Sequence, residues 1–171
     1  YHGGACRFAY SSAGPSYLEA SVSAGLVDSD FSVEFWVRFE TRGTGSTPII
    51  QQPNCPDSER RLEIYSSSSA TGVSFPVTSG ACNALCDAAV TTTGLSIGKW
   101  SHVAVLFVKA TKVRSIFLDG TKLHIPTPTA AGPLECASPL VLGSYAPDAI
   151  LVFDDIRIWS VVRTLSDIAA S

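Results

Sequence analysis

The 171-residue chain contains no methionine, and only 16% of its residues are charged. Ordinary soluble domains carry about 25% charged residues. Sparse charge combined with 46% apolar residues excludes intrinsic disorder, which needs high charge and few apolar groups. A basic surplus is also missing. Twelve Lys and Arg stand against 15 Asp and Glu, for a net charge of −3, so there is no electrostatic footprint for nucleic acid. No apolar run approaches the roughly 20 residues of a membrane-spanning helix. The chain starts at Tyr1 without a charged-then-apolar leader, as expected of a processed chain or a piece of a longer one. No glycosylation sequon occurs, because Asn54 precedes Cys55-Pro56 and Asn83 precedes Ala84-Leu85. Residues 125–130 read as a Pro- and Thr-rich loop, with O-linked sugars as the other reading.

The five cysteines, Cys6, Cys55, Cys82, Cys86 and Cys136, lack the spacing of a zinc site. Only Cys82 and Cys86 are close, no second close pair exists, and His2, His102 and His124 are far away in sequence. A chain of this length buries close to ~70% of its unfolded surface and folds without covalent help. The cysteines therefore point to disulfides in an oxidising compartment, outside the cell or at its surface. Their odd number leaves one unpaired or joined to another chain. Sequence does not fix the connectivity. The pairings suggested are Cys55 with Cys82 or Cys86, and Cys6 with Cys136.

What dominates is a period of two. Phe31, Val33, Phe35, Val37 and Phe39 alternate with Ser32, Glu34, Trp36, Arg38 and Glu40, a strand with one apolar face. Trp36 sits on the polar side, half exposed or covered by a loop. Further strands are expected near residues 48–51, 62–66, 73–77, 90–95, 112–118, 121–125, 140–143 and 150–159. Residues 99–108 are almost wholly apolar, so both faces of that strand should be buried. Asp119-Gly120 between two strands marks a hairpin turn with positive φ at both positions. Leu151 and Phe153 share one parity and Ile156 and Ile158 the other. Either that strand is buried on both sides, or a bulge at Asp154-Asp155 switches its face. Residues 79–89 allow a short helical turn, as do residues 164–168. The expected fold class is all-β, an antiparallel two-sheet sandwich in one domain over residues 1–171.

Four stretches resemble the concanavalin A-like lectin/glucanase superfamily, in its laminin-G-like (pentraxin-like) jelly-roll branch. Residues 31–37, Phe-Ser-Val-Glu-Phe-Trp-Val, resemble an early "F-T-x-E-x-W-V" strand. Lys99-Trp100-Ser101-His102-Val103-Ala104-Val105 is similar to "W-x-H-V-A-V". Ile116 to Leu123 is similar to an "L-Y-V-D-G" hairpin, and residues 153–159 to "I-D-D-V-R-I-Y". Arg163-Thr164-Leu165-Ser166 resembles a closing "R-A-L-S". In such a fold, Trp100 and Trp159 fill space between layers or cover a sheet end, and Arg157 pairs with a neighbouring carboxylate.

The resemblance implies a non-catalytic extracellular module for recognition or assembly. Its expected partners are glycans, extracellular proteins or copies of itself. Tyr17, Tyr65 and Tyr145 are candidate ligand contacts, because the C–H faces of sugars stack on aromatic rings. Some relatives bind Ca²⁺ on a loop rim, which makes Asp154, Asp28 and Asp30 candidate ligands. The family's "F-D-G" opening is altered, however: Phe8-Ala9-Tyr10 lacks the Asp. A building block of an extracellular fibre or matrix is an alternative reading, supported by the odd cysteine and the low charge. A glycoside hydrolase is a further alternative, since the superfamily includes glucanases. Those use Glu-x-Asp-x-x-Glu, whereas Asp28, Asp30 and Glu34 are spaced differently, so no catalytic residue is assigned.

Overall fold

The computed structural model describes residues 5–11, 14–21, 29–43, 47–54, 61–66, 73–74, 77–78, 95–111, 113–123, 136, 138–143 and 148–170. Asp28, Tyr145, Cys55, Cys82, Cys86, the Pro- and Thr-rich segment and residues 79–89 lie outside them. The described elements form two antiparallel sheets, so the expected all-β sandwich is what the chain builds.

One sheet has seven strands. They are β1 (Cys6–Ser11), β2 (Gly14–Pro15), β4 (Phe31–Thr41), β9 (Ser101–Val108), β10 (Val113–Leu118), β11 (Thr121–Lys122) and β13 (Ile150–Trp159). Their order is β11-β10-β9-β4-β13-β1-β2. The other sheet contains β3 (Tyr17–Ala20), β5 (Thr47–Gln51), β6 (Arg61–Ser66), β7 (Val73–Ser74), β8 (Val77–Thr78) and β12 (Leu140–Gly143). Its order is β3-β12-β5-β6-β7, and β8 also pairs with β6. A single short helix, α1 (Leu165–Ala169), follows β13 among the described residues.

Alternation in β4 decides which face is the core. Phe31, Val33, Phe35, Val37 and Phe39 are all buried and meet Ile49, Ile50, Leu62, Ile64, Leu140 and Leu142 of the second sheet. Phe35 and Phe153 lie 5.9 Å apart, and Phe8 meets Phe153 edge-on at 5.6 Å. Each such fully buried side chain contributes roughly 1.5–3 kcal/mol. A register shift between Pro48 and Ile50 explains how neighbouring Ile49 and Ile50 can both be buried.

The parity break in β13 is a bulge. Asp154 pairs with Trp36 and Arg157 with Glu34, so Asp155 and Ile156 together oppose Phe35. Asp155 takes a φ of 48°, the left-handed conformation that lets one residue be inserted. The extra residue returns Ile156 to the core side already occupied by Leu151 and Phe153. The same device points Arg157 and Trp159 outward.

Asp119 and Gly120 have φ values of 48° and 74°, as the hairpin between β10 and β11 requires. Asp119 N–H donates to the His102 carbonyl, and Asp119 Oδ1 accepts from the His102 N–H, both at 2.8 Å. This turn therefore fixes the start of β9.

Candidate functional site

The outer face of the seven-stranded sheet gathers the polar and aromatic residues. On β4 it carries Ser32, Glu34, Trp36, Arg38 and Glu40. Pairing registers place Trp36 between Asp154 of β13 and His102 of β9. Arg38 and Arg7 both pair in register with Val152. Trp100 precedes β9 and lies under the Arg38 guanidinium, 5.2 Å from ring centroid to Cζ. The face falls into two halves.

One half is covered by the chain's own C-terminal segment, residues 160–170. Ser32 Oγ donates to the Val161 carbonyl and accepts from the Arg163 N–H, each at 2.9 Å. Arg163 Nε donates to Glu34 Oε1 at 3.0 Å, and its guanidinium lies 4.6 Å from the Trp159 ring. Thr164 caps α1 reciprocally with Asp167, satisfying orphan donors at the helix start. Ile168 then seats on Ala104, Leu106 and Phe117, with Val162 packed alongside. This cover is why β9 is buried on both faces, as its apolar sequence implied.

Glu34 is 1% exposed and His102 3% exposed. His102 Nε2 is 3.8 Å from Glu34 Oε2. Burial pushes the His102 pKa down, and this outweighs the upward pull of Glu34 and Asp119. His102 is therefore neutral near pH 7, and Arg163 supplies the charge that balances Glu34.

The other half is open. The Trp36 ring stands 5.3 Å from that of His102 at 44°. Glu40 accepts from Arg7 Nε at 2.7 Å and from Arg38 Nη2 at 3.1 Å. Arg7, first by its hydrogen bond, then Arg38 hold the Glu40 carboxyl below its usual range, so it stays ionised. Arg157 grips Asp155 through Nε and Nη2 at 2.8 and 2.6 Å. Trp36 and Trp100 are half-buried, each presenting part of a ring beside hydrogen-bonding groups. This arrangement suits a ligand with an apolar face and a polar rim.

Glu34 has no such access. A glycosidase needs two carboxylates flanking the scissile bond, and Glu34 is committed to Arg163 beneath the C-terminal cover.

The residues singled out from sequence are spread over the fold. Tyr17 lies on the edge strand β3, 47% exposed, and half-buried Tyr65 lies on β6. Both belong to the six-stranded sheet, two intervening strands apart, or about 14 Å. Trp36 lies on the other sheet. Asp30 Oδ1 accepts from the Lys109 N–H at 2.7 Å, and Asp154 Oδ1 accepts from the Asp155 N–H at 2.9 Å. Asp30 precedes Trp36, the register partner of Asp154, by six residues, about 20 Å along an extended strand. These two carboxylates do not share one coordination shell. Among the described residues, no three His, Cys, Asp or Glu side chains gather to hold a metal.

Cys6 is exposed at the start of β1 and holds no disulfide, so the bridge from Cys6 to Cys136 is not formed. Cys136 is buried and disulfide-bonded. The suggested pairing of Cys55 lies outside the described residues. Trp100 and Trp159 fill no space between the sheets. They lie on the outer face under Arg38 and Arg163. The open half itself was not singled out from the sequence. Its signal was the polar register of β4, in which Trp36, Arg38 and Glu40 recur every second residue.

Solved structures share this fold at low identity. The botulinum neurotoxin serotype G binding domain superposes with a TM-score of 0.76 at 11% identity, covering 99% of this chain and 42% of its own. The binding domain of botulinum neurotoxin DC, solved in complex with rat synaptotagmin II, gives 0.76 at 13% identity, covering 97% and 41%. The binding domain of Paraclostridial Mosquitocidal Protein 1 gives 0.75 at 12%, covering 96% and 42%. The chain thus spans about two fifths of the length of these structures. No curated protein matches it. A laminin G family model, described as the Concanavalin A-like lectin/glucanases superfamily, matches residues 12–169. The chain belongs to the concanavalin A-like lectin/glucanase superfamily.

Proposed function

We propose that this chain is a non-catalytic extracellular recognition module that holds a glycan on the open half of the seven-stranded sheet. The observation that carries this reading is the placement of Trp36 and Trp100. Two partly exposed indoles share one sheet face with Arg38, Glu40 and Asp154. Pyranose rings offer C–H faces for the indoles and hydroxyls for the charged rim. Two further points support it. Botulinum neurotoxin domains of the same fold are binding domains, one solved with synaptotagmin II and one from a study tying cell entry to two ganglioside molecules. The disulfide at Cys136 suits an oxidising compartment.

Glycan-array binding of the folded protein, with W100A alongside, tests the reading. Saturable binding that weakens in W100A is the expected result. Incubation with the bound oligosaccharides should release no new reducing ends. Binding that is indifferent to W100A, or steady hydrolysis, would overturn it.

A further inference from the structure

We propose that Glu40 sets the charge selectivity of the open half, so that it accepts uncharged saccharides and rejects anionic ones. The inference rests on the reading of this face as the ligand surface and goes on to name the residue that selects among ligands. Arg7 and Arg38 come from different strands, β1 and β4, and converge on a single carboxylate, one on each oxygen of Glu40. A guanidinium is the group that best holds a sugar carboxylate or sulfate, because its fork matches two oxygens. Here each guanidinium already gives one nitrogen to Glu40, Nε from Arg7 and Nη2 from Arg38. The third guanidinium of this face, Arg157, is held by two nitrogens on Asp155.

Among the described residues named on this half, Arg7, Arg38 and Arg157 stand against Glu40, Asp154 and Asp155. An anionic sugar would gain little net attraction and would have to compete with Glu40 for Arg7 and Arg38. A neutral sugar needs only ring contact and hydroxyl hydrogen bonds, which Trp36, Trp100 and the outer edges of these ion pairs offer. Glu40 is thus a selectivity residue that acts by occupying two potential anion-binding groups. Its removal should uncover them.

Affinities would be measured for neutral oligosaccharides and for their sialylated and sulfated counterparts, using wild type, E40Q, R7A/E40Q and W100A. The E40Q change weakens an exposed ion pair with Arg7 and a partly buried one with Arg38, and circular dichroism verifies the fold. Wild type should bind the neutral set. E40Q should raise the ratio of anionic to neutral binding by about tenfold or more, a gain that weakens with added salt. R7A/E40Q should lose most of the gain. A wild type that prefers anionic sugars, or an E40Q protein whose anionic-to-neutral ratio is unchanged, overturns the role of Glu40. If W100A still loses binding in that case, the ligand face stands and only the selectivity inference falls. If W100A binds as wild type does, the face itself is wrong.

Discussion

Arg163 Nε lies 3.0 Å from Glu34 Oε1, although 129 residues separate them in the chain. This contact joins the C-terminal segment to the central strand of the seven-stranded sheet. Glu34 is 1% exposed, whereas the Arg163 side chain keeps 20% exposure. The two partners should therefore respond unequally to mutation. R163A leaves a buried carboxylate without its counter-charge, a change that costs about 3–5 kcal/mol when burial is complete. E34Q leaves a guanidinium that can turn toward water, and should cost clearly less. Urea unfolding of both single variants and the double variant checks this. The double variant should lose less than the sum of the two.

The cover also depends on one apolar anchor. Ile168 is the buried residue of α1 and meets Ala104, Leu106 and Phe117. I168A should destabilise by about 2–5 kcal/mol if the segment stays docked around the cavity. If the segment instead detaches, hydrogen exchange should speed up locally in residues 161–169 before it does so in β4. The outer half of β9 would then behave as an exposed apolar strip and bind a hydrophobic dye.

His102 makes stability depend on pH. Its pKa is lowered in the fold, first by burial, so the unfolded chain binds the proton more readily. Stability from this group is complete above the unfolded value of about 6.5 and is lost as pH falls through the folded value. Denaturation midpoints should therefore drop from pH 8 to pH 5. H102Q should flatten that part of the profile. Glu40 and Asp167 have lowered pKa values as well. They shift losses to more acid pH, below the ordinary carboxylate range, so the two windows separate.

Period-two patterning made β4 legible because its buried apolar residues, Phe31, Val33, Phe35, Val37 and Phe39, are all on one side of the strand. The same rule exposed a conflict in β13, where Phe153 and Ile156 disagree in parity. Only the backbone could resolve it, through the positive φ at Asp155. The similarity of Arg163-Thr164-Leu165-Ser166 to the family's closing motif acquires a physical reason. Arg163 clips Glu34, and Thr164 caps α1. The covered and open halves of the outer face were not legible. They arise from contacts such as Ile168 with Leu106, and periodicity shows that a side chain is apolar without showing what it meets. Trp100 was expected to fill space between layers or to cover a sheet end, and the choice was open for the same reason. An indole beside alternating residues has no signature that tells an inner surface from an outer one.

Gly143 offers a direct test of how closely β3 and β12 approach. Its φ is 136°, and a Cβ placed there would lie 2.6 Å from the Ser16 carbonyl oxygen and 3.0 Å from Tyr17 Cα. Both are backbone atoms, so no side chain can swing away. Gly98 also has positive φ, 76°, but a Cβ there meets nothing within 4 Å. G98A should therefore cost only the conformational strain, about 1–3 kcal/mol. G143A adds a clash that the edge strand must absorb by moving. It should destabilise more than G98A, and amides of residues 17–20 should exchange faster. Equal losses in the two variants would mean that strain alone, and not the close approach to Ser16, demands glycine at position 143.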